Sequence, residues 1–431
     1  MTRSDALFRK AQKYLPGGVS RDTILHSPHP FYALRGRGCV VTDIDGREFI
    51  DFANNMASLI HGHAFPPIID AVTRQMQRGT CFTFGTEAEV DFAEHMCSRS
   101  PAFEKIRFVN SGTEAVMAAI KAARAFTGRP KIAKVEGAYH GVYDYVEISQ
   151  TPGPDQWGPR DAPNAVPLAA GTPQGVTDDV IVIPFNDPEV AVHLLSCHAG
   201  SIAAVLVDPI PHRVGLIPAE LAFIQRLRDW TRAHGALLVF DEVISFRTEV
   251  GGAQTRYDVS PDLTALGKAI GGGFPVGAVA GSNDVMAVFE PGERGLRLPQ
   301  SGTFSANPVT MVAGLIAMQH FDSAAVVRLN QLGDRARTSI KKAIQMSAVP
   351  ACVTGMGSMF RVHLQAEAPK NYRDAFVAAH AKKQLERFVD GMLDAGIMLT
   401  NTGAGMLSTV MGRAQIEQLA DGVLTSLRGL T

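Results

Sequence analysis

The sequence predicts an α/β fold, a large domain on a mainly parallel sheet with a smaller α/β lobe formed from the N- and C-terminal segments. Three observations carry this. Between Ile60 and Gly281 short apolar runs alternate with stretches whose apolar residues recur at helical spacing, the pattern of strands and helices packed on both faces of one sheet. Polar and glycine-rich residues follow the ends of the apolar runs, where open sheets of this kind hold ligands. The chain has 431 residues, 46% hydrophobic and 19% charged, which suits a well-packed globular protein too long for one core, so about two to three units are expected.

In chain order, Ser4 is expected to cap a first helix carrying Leu7, Phe8, Ala11 and Leu15 and stopped by Pro16-Gly17-Gly18. After Val19-Ser20-Arg21-Asp22, a hairpin joins Cys39-Val40-Val41 to Glu48-Phe49-Ile50 across Asp43, Asp45 and Gly46. This segment, residues 1–55, is too small for its own core and is expected to pack with the last unit. The large domain, 56–322, reads as strand Lys105 to Val109, turn Asn110-Ser111-Gly112-Thr113, then a helix with Val116, Ala119, Ile120 and Ala123 on one face, closed by Gly128. Strands follow at Lys131 to Val135, leading to Gly137-Ala138-Tyr139-His140-Gly141, and at Ile202 to Val207, ending at Asp208. A helix through Leu221, Ile224, Leu227 and Trp230 stops at Gly235, before the run Ala236 to Phe240. Thr151 to Pro173 is poorly periodic, with prolines at 152, 154, 159, 163, 167 and 173 and a lone Trp157, and reads as a lid or a mobile insertion. Asn307 caps a helix begun by Pro308, and the last unit, 323–431, mixes helices such as Phe376 to Ala395 with strands such as Ser358 to Leu364.

Composition narrows the partners. Lys plus Arg number 41 against 42 Asp plus Glu with no long block of one sign, so neither a nucleic-acid nor a membrane surface is indicated and small molecules are the expected partners. The 5 cysteines are scattered and lack a C-x-x-C pair, which suits reduced core residues. With no apolar signal core in the first residues and no membrane-length apolar run, the expectation is a cytoplasmic protein. Gly355-x-Gly357 lacks the third glycine of a dinucleotide fingerprint, there is no HExxH or clustered ligand spacing for a metal, and no G-x-S-x-G elbow occurs.

The chemistry centres on two strand ends. The run Ala236 to Phe240 delivers Asp241 and Glu242, and Leu263 to Leu266 delivers Gly267 and Lys268, followed by Gly271-Gly272-Gly273, which leave room for a bulky group beside the lysine. Either residue alone reads as a turn cap or a solvated charge. Together they suit pyridoxal phosphate, whose aldehyde forms a Schiff base with a lysine and whose ring nitrogen needs a carboxylate to stay protonated.

Asp241-Glu242-Val243, Leu266-Gly267-Lys268 and the three glycines resemble the core signature of the class III, fold type I aminotransferases, most closely the branch of glutamate-1-semialdehyde aminomutase and the bacterial β-amino acid transaminases. The resemblance extends over nearly the whole chain. It implies a fold type I transferase, pyridoxal 5′-phosphate on Lys268 with Asp241 at the ring nitrogen and Val243 and His140 beside it, and a homodimer with a shared active site. It also implies a ping-pong transfer from an amino donor to a keto acid acceptor. Ser111-Gly112-Thr113, continuing through Glu114 and Ala115, resembles the family's phosphate turn; by itself the same turn is an ordinary helix cap. Tyr139 matches the tyrosine that stacks on the ring, and Thr303 the threonine that reaches the other subunit's phosphate. Asp208-Pro209 stands where the family usually has Glu-Pro.

For the substrate, Arg21 resembles the arginine that grips a carboxylate in β-amino acid transaminases, a task suited to its fork of donors. Trp157 and Thr402 are expected to shape the pocket beside it. Two departures separate the chain from the aminomutase: Ile244-Ser245-Phe246-Arg247 is one glycine shorter, and the Ala-Gly-Ser-Gly lid motif is absent after Ile148. Near Thr400 to Gly405 there is also no arginine of the kind β-transaminases use for the co-substrate. The expectation is a β- or ω-amino acid aminotransferase, with an intramolecular aminomutase as the alternative and a cofactor-binding protein without turnover as a third reading.

Overall fold

The computed structural model describes residues 2–292 and 295–430. Its central sheet has seven strands, β1 (Lys105–Val109), β2 (Lys131–Val135), β3 (Val180–Ile183), β4 (Ile202–Val207), β5 (Leu237–Asp241), β6 (Leu263–Gly267) and β7 (Gly277–Gly281), in the spatial order β1-β7-β6-β5-β4-β2-β3. From β6 to β3 all neighbours are parallel, while β7 runs antiparallel to both β6 and β1. Helices cover both faces, which is why β4, β5 and β6 are buried at every position and their sequences run apolar without alternation. The expected fold class therefore stands.

The helices begin and end where the local chemistry dictates. Helix α1 (Gly112–Thr127) is capped by the Ser111 hydroxyl, which accepts from Glu114 N, and closes on left-handed Gly128. Helix α2 (Leu221–His234) closes on Gly235 in the same way. Helix α3 (Pro308–His320) starts at Asn307, whose Oδ1 accepts from Val309 N and Thr310 N, and lies almost wholly in the core. Helices α4 (Ser323–Ser347) and α5 (Arg413–Arg428) pack on one another. Among the described residues no single helix is long and apolar enough to cross a membrane.

The two chain ends interleave. A second sheet joins Ala33–Arg37, Val40–Asp43 and Glu48–Asp51 to Ile397–Met398, with Ile397 paired in parallel to Ile50. Cys352–Thr354, Met359–His363 and Ala404–Met406 form a third, antiparallel sheet.

Some local expectations change. Thr2, not Ser4, caps the first helix, because Asp5 reaches back to Thr2 N and completes a capping box; Ser4 is buried and donates to Asp45. That helix ends at Ala11 and leaves Leu15 exposed. The late helix begins at Ala379 rather than Phe376. Of the three glycines after Lys268, Gly272 serves packing: a Cβ there would stand 2.6 Å from the Ala313 carbonyl of α3. The stretch from 151 to 173 contains no helix or strand, yet Arg373 anchors it by donating to the carbonyls of Trp157, Gly158 and Pro159 while forming a 2.9 Å ion pair with Glu136.

Candidate active site

A cavity of about 390 Å³ lies beyond the carboxyl ends of β2, β4, β5 and β6, where those strands deliver their polar residues. Ten of the residues singled out from sequence line it: Arg21; Ser111, Gly112 and Thr113; Tyr139 and His140; Asp208; Asp241 and Val243; and Lys268.

Asp241 leaves β5 buried, its carboxylate fixed from two sides. His140 Nδ1 donates to Oδ2 at 2.7 Å and Val243 N donates to Oδ1 at 3.0 Å. Burial pushes the His140 imidazolium below its usual range, against the pull of Asp241. Its Nε2 is buried and has no partner among the described residues. Lys268 follows β6 with a left-handed φ of 48°, a conformation a side chain adopts at a cost of about 1–2 kcal/mol. Burial also pushes its ammonium below the usual lysine range, opposed by Asp241 and Asp208. Asp208, at the end of β4, accepts from Ile210 N at 2.8 Å; burial, with Asp241 close by, pushes its carboxyl well above the usual range.

At the same edge of the sheet, beside the end of β6, the N-terminus of α1 presents the amides of Gly112 and Thr113 and the positive end of the helix dipole. Gly141, at φ 98°, closes over it, and a Cβ there would strike the Thr113 side chain. Thr113 Oγ1 accepts from Val142 N at 3.3 Å, tying the loop after β2 to the helix.

The remaining wall comes from the N-terminal segment. Arg21 Nη1 donates to Asn55 Oδ1 at 2.8 Å. Asn55 belongs to a run of four left-handed residues, Asn54, Asn55, Met56 and Ala57, at φ 46°, 45°, 57° and 74°. Distant partners hold this turn: Asp51 Oδ1 accepts from Asn54 N at 2.7 Å, Asn54 Nδ2 donates to the Met406 carbonyl at 2.6 Å, and fully buried Arg247 donates to the carbonyls of Ala57 and Leu407 and to Ser358 Oγ. Arg247 is the last residue of the shortened Ile244-Ser245-Phe246-Arg247 run.

Three predicted residues do not line the cavity. Trp157 packs edge-on against Tyr372 and Phe376, under the Arg373 guanidinium, away from the cavity wall. Thr402 is engaged by its Oγ1 with His212 Nε2 at 3.1 Å and with Thr400 Oγ1 at 2.9 Å. Thr303 stands exposed outside the cavity, in the segment just before α3. Conversely, Asn55 and Met56 line the cavity and were missed. Only the tolerance of asparagine for left-handed backbone could have hinted at them.

The sequence profile of the aminotransferase class-III family matches residues 25–424. The chain belongs to the class III aminotransferases. It is 39% identical over 401 residues to glutamate-1-semialdehyde 2,1-aminomutase of Methanothermobacter thermautotrophicus, covering 92% of this chain and 91% of that one. It superposes on an omega-transaminase from Sphaerobacter thermophilus with a TM-score of 0.96 at 48% identity, covering 100% and 98% of the two chains. A beta-phenylalanine aminotransferase from Variovorax paradoxus follows with a TM-score of 0.89 at 33% identity, covering 99% and 94%. As a class III aminotransferase it is an enzyme and uses pyridoxal 5′-phosphate.

The residues present fit that cofactor. The open amides of α1 suit a phosphate, and Gly112 lies so close to Val243 that a Cβ would stand 2.9 Å from its side chain, leaving the cradle to backbone. A buried, doubly hydrogen-bonded carboxylate and a desolvated amine share the same space. The class III aminotransferase fold thus gathers a helix N-terminus, a buried carboxylate and an amine in one cavity.

Proposed function

We propose that the protein transfers an amino group from a β- or ω-amino acid to a 2-keto acid in two successive half-reactions. The observation that carries this reading is that Lys268 faces the same cavity as the Asp241 carboxylate fixed by His140 and Val243, with Arg21 held on the opposite wall. When bound, pyridoxal phosphate supplies an aldehyde that takes up the amino group and a ring that accepts the electrons of the neighbouring C–H bond. In our reading Ser111, Gly112 and Thr113 hold the phosphate, and Tyr139 and Val243 flank the ring.

Asp241 would keep a proton on the ring nitrogen, and His140 would keep Asp241 in place. Lys268 Nζ, whose ammonium burial pushes below the usual lysine range, would take the proton from the donor's amino-bearing carbon as general base and, as general acid, deliver it to the carbon that carried the cofactor's aldehyde. Arg21, oriented by Asn55, takes the donor carboxylate. The likeness to an omega-transaminase and a beta-phenylalanine aminotransferase supports this donor class.

We further read the protein as a cytoplasmic homodimer. Its 5 cysteines are all unpaired, which suits a reducing compartment. Phe82, Phe84 and Phe304 are exposed on two segments that meet where Asn307 Nδ2 donates to the Thr80 carbonyl, an apolar face that a second copy would cover and that carries Thr303 beside it.

The aminomutase likeness favours a second reading, an internal amino shift within one substrate. Incubating purified holoenzyme with a β-amino acid and a separate keto acid decides between them. Appearance of the keto acid's amino product supports aminotransfer; isomerisation of glutamate-1-semialdehyde without transfer between molecules overturns it.

A further inference from the structure

We propose that Asp51 and His63 form a positioning pair for the donor site, which acts through the Asn54 turn to aim Arg21 and so sets the affinity for a donor that carries a carboxylate. This rests on the reading of Arg21 given above and adds to it the residues that direct it.

Arg21 lines the cavity but does not aim itself. It stands exposed on extended backbone, and its guanidinium has one hydrogen-bond partner among the described residues, Asn55 Oδ1 at 2.8 Å. A long side chain in water visits many rotamers, so the group that receives it decides where its fork points. Asn55 has no side-chain hydrogen bond among the described residues except this one, and its direction follows from its backbone, at φ 45° and ψ 57° within the left-handed run from Asn54 to Ala57. Four such residues in succession, each with a Cβ, persist only where their surroundings dictate the conformation.

The entry to the run is dictated by Asp51. This residue ends the strand Glu48–Asp51, is buried, and has its backbone fixed by N donating to the Cys39 carbonyl at 2.8 Å. Its two carboxylate oxygens face different partners: Oδ1 accepts from Asn54 N, the first amide of the run, and Oδ2 accepts from His63 Nε2, both at 2.7 Å. His63 is itself clamped. Its N donates to the Gly38 carbonyl at 2.7 Å, its carbonyl accepts from Gly38 N at 3.0 Å, and its ring lies against Gly36, where a Cβ would stand 2.5 Å from the ring. With the imidazole held there, the carboxylate cannot swing away from Asn54.

Neither Asp51 nor His63 lines the cavity, and neither hydrogen-bonds to His140, Asp208, Asp241 or Lys268. Their route to the chemistry runs through Asn54 and Asn55 to Arg21. Other groups hold the same turn elsewhere: Met406 takes the Asn54 side chain and Arg247 the Ala57 carbonyl. The backbone amide that opens the run belongs to Asp51 alone. Without that acceptor a buried N–H is left unpaired, the turn is free to leave the left-handed region, and Asn55 Oδ1 no longer meets the guanidinium.

Two donors of matched size separate this role from general damage: 3-aminobutanoate carries a carboxylate, and 2-aminobutane has a methyl group in its place. In Asp51→Ala holoenzyme, KM for 3-aminobutanoate should rise about 10-fold, while kcat and the KM for 2-aminobutane should each change less than about twofold. Asp51→Asn keeps an acceptor for Asn54 N but turns its amide toward His63, and should lie between alanine and wild type. His63→Ala, at the less buried end of the pair, carries the same test should Asp51→Ala fail to fold, and His63→Gln, whose amide still donates, should recover part of its loss. In an Arg21→Gln background, Asp51→Ala should add almost nothing to KM, because both changes remove one contact. A KM for 3-aminobutanoate unchanged in Asp51→Ala and His63→Ala overturns the assignment. So do losses equal for the two donors, or losses that add in full to that of Arg21→Gln, either of which makes the pair a support of the fold alone. If Arg21→Gln leaves the KM for 3-aminobutanoate at its wild-type value, or wild-type holoenzyme takes the amino group from neither amine, the donor reading itself falls, and this assignment with it.

Discussion

The two walls of the cavity are built in opposite ways. The strand-end wall, with His140, Asp208, Asp241 and Lys268, follows β2, β4, β5 and β6, and each residue is placed by the strand that precedes it. The N-terminal wall, with Arg21, Asn55 and Met56, has irregular backbone, one exposed arginine and four consecutive left-handed residues fastened by groups from far along the chain. The first wall is rigid because a parallel sheet covered on both faces allows it no alternative. The second is rigid only where buried polar contacts hold it. We read this as chemistry assigned to the framework and substrate choice to the periphery, so damage to the first should abolish every reaction and damage to the second only some.

Asp241→Asn gives the largest effect. It keeps the volume but removes the charge that His140 and Val243 hold, and kcat/KM should fall about 1000-fold for every donor and acceptor alike, measured by steady-state coupled assay. Arg21→Gln should instead raise KM for a β-amino acid about 50-fold while an uncharged amine donor changes little; equal losses for both donors would show that the walls are not specialised. Arg247→Met leaves Ser358 and two carbonyls without their donor and should lower Tm by about 5 °C or more in a thermal melt, with amino acid donors affected before the cofactor is lost.

The smallest effect concerns the strand-end wall at Glu242, next to Asp241. Burial pushes its carboxyl up from 4.5 to about 7, although Gln254 N and Ala253 N donate to it. Between those values the folded chain binds more protons than the unfolded one, so the contribution of Glu242 to stability is full below pH 4.5 and is lost as pH rises through 7. Wild-type Tm should therefore fall more steeply than that of Glu242→Gln between pH 5 and 8.

The same contrast explains what could be read from sequence. Asp241 and Lys268 were legible because each ends a short, bracketed apolar run that only a buried strand explains, α1 because Ser111, Gly128 and helical spacing agree at both ends, and α2 because its helical spacing runs up to Gly235. The pairing of His140 with Asp241 was not, since it joins residues 101 apart and depends on how β2 and β5 lie in the sheet. Trp157 misled because an aromatic residue in a proline-rich loop resembles a pocket wall, and its partners Tyr372, Arg373 and Phe376 come from the last unit. Asn54 to Ala57 carries no periodicity.

The hydrogen bond from Asn54 to the Met406 carbonyl spans 352 residues. A polypeptide growing from its first residue would make most of the central sheet before it made the group that fastens this turn. A nascent chain halted near residue 400 would then hold its strand-end wall and its lysine while the Asn54 turn still lacked this fastening.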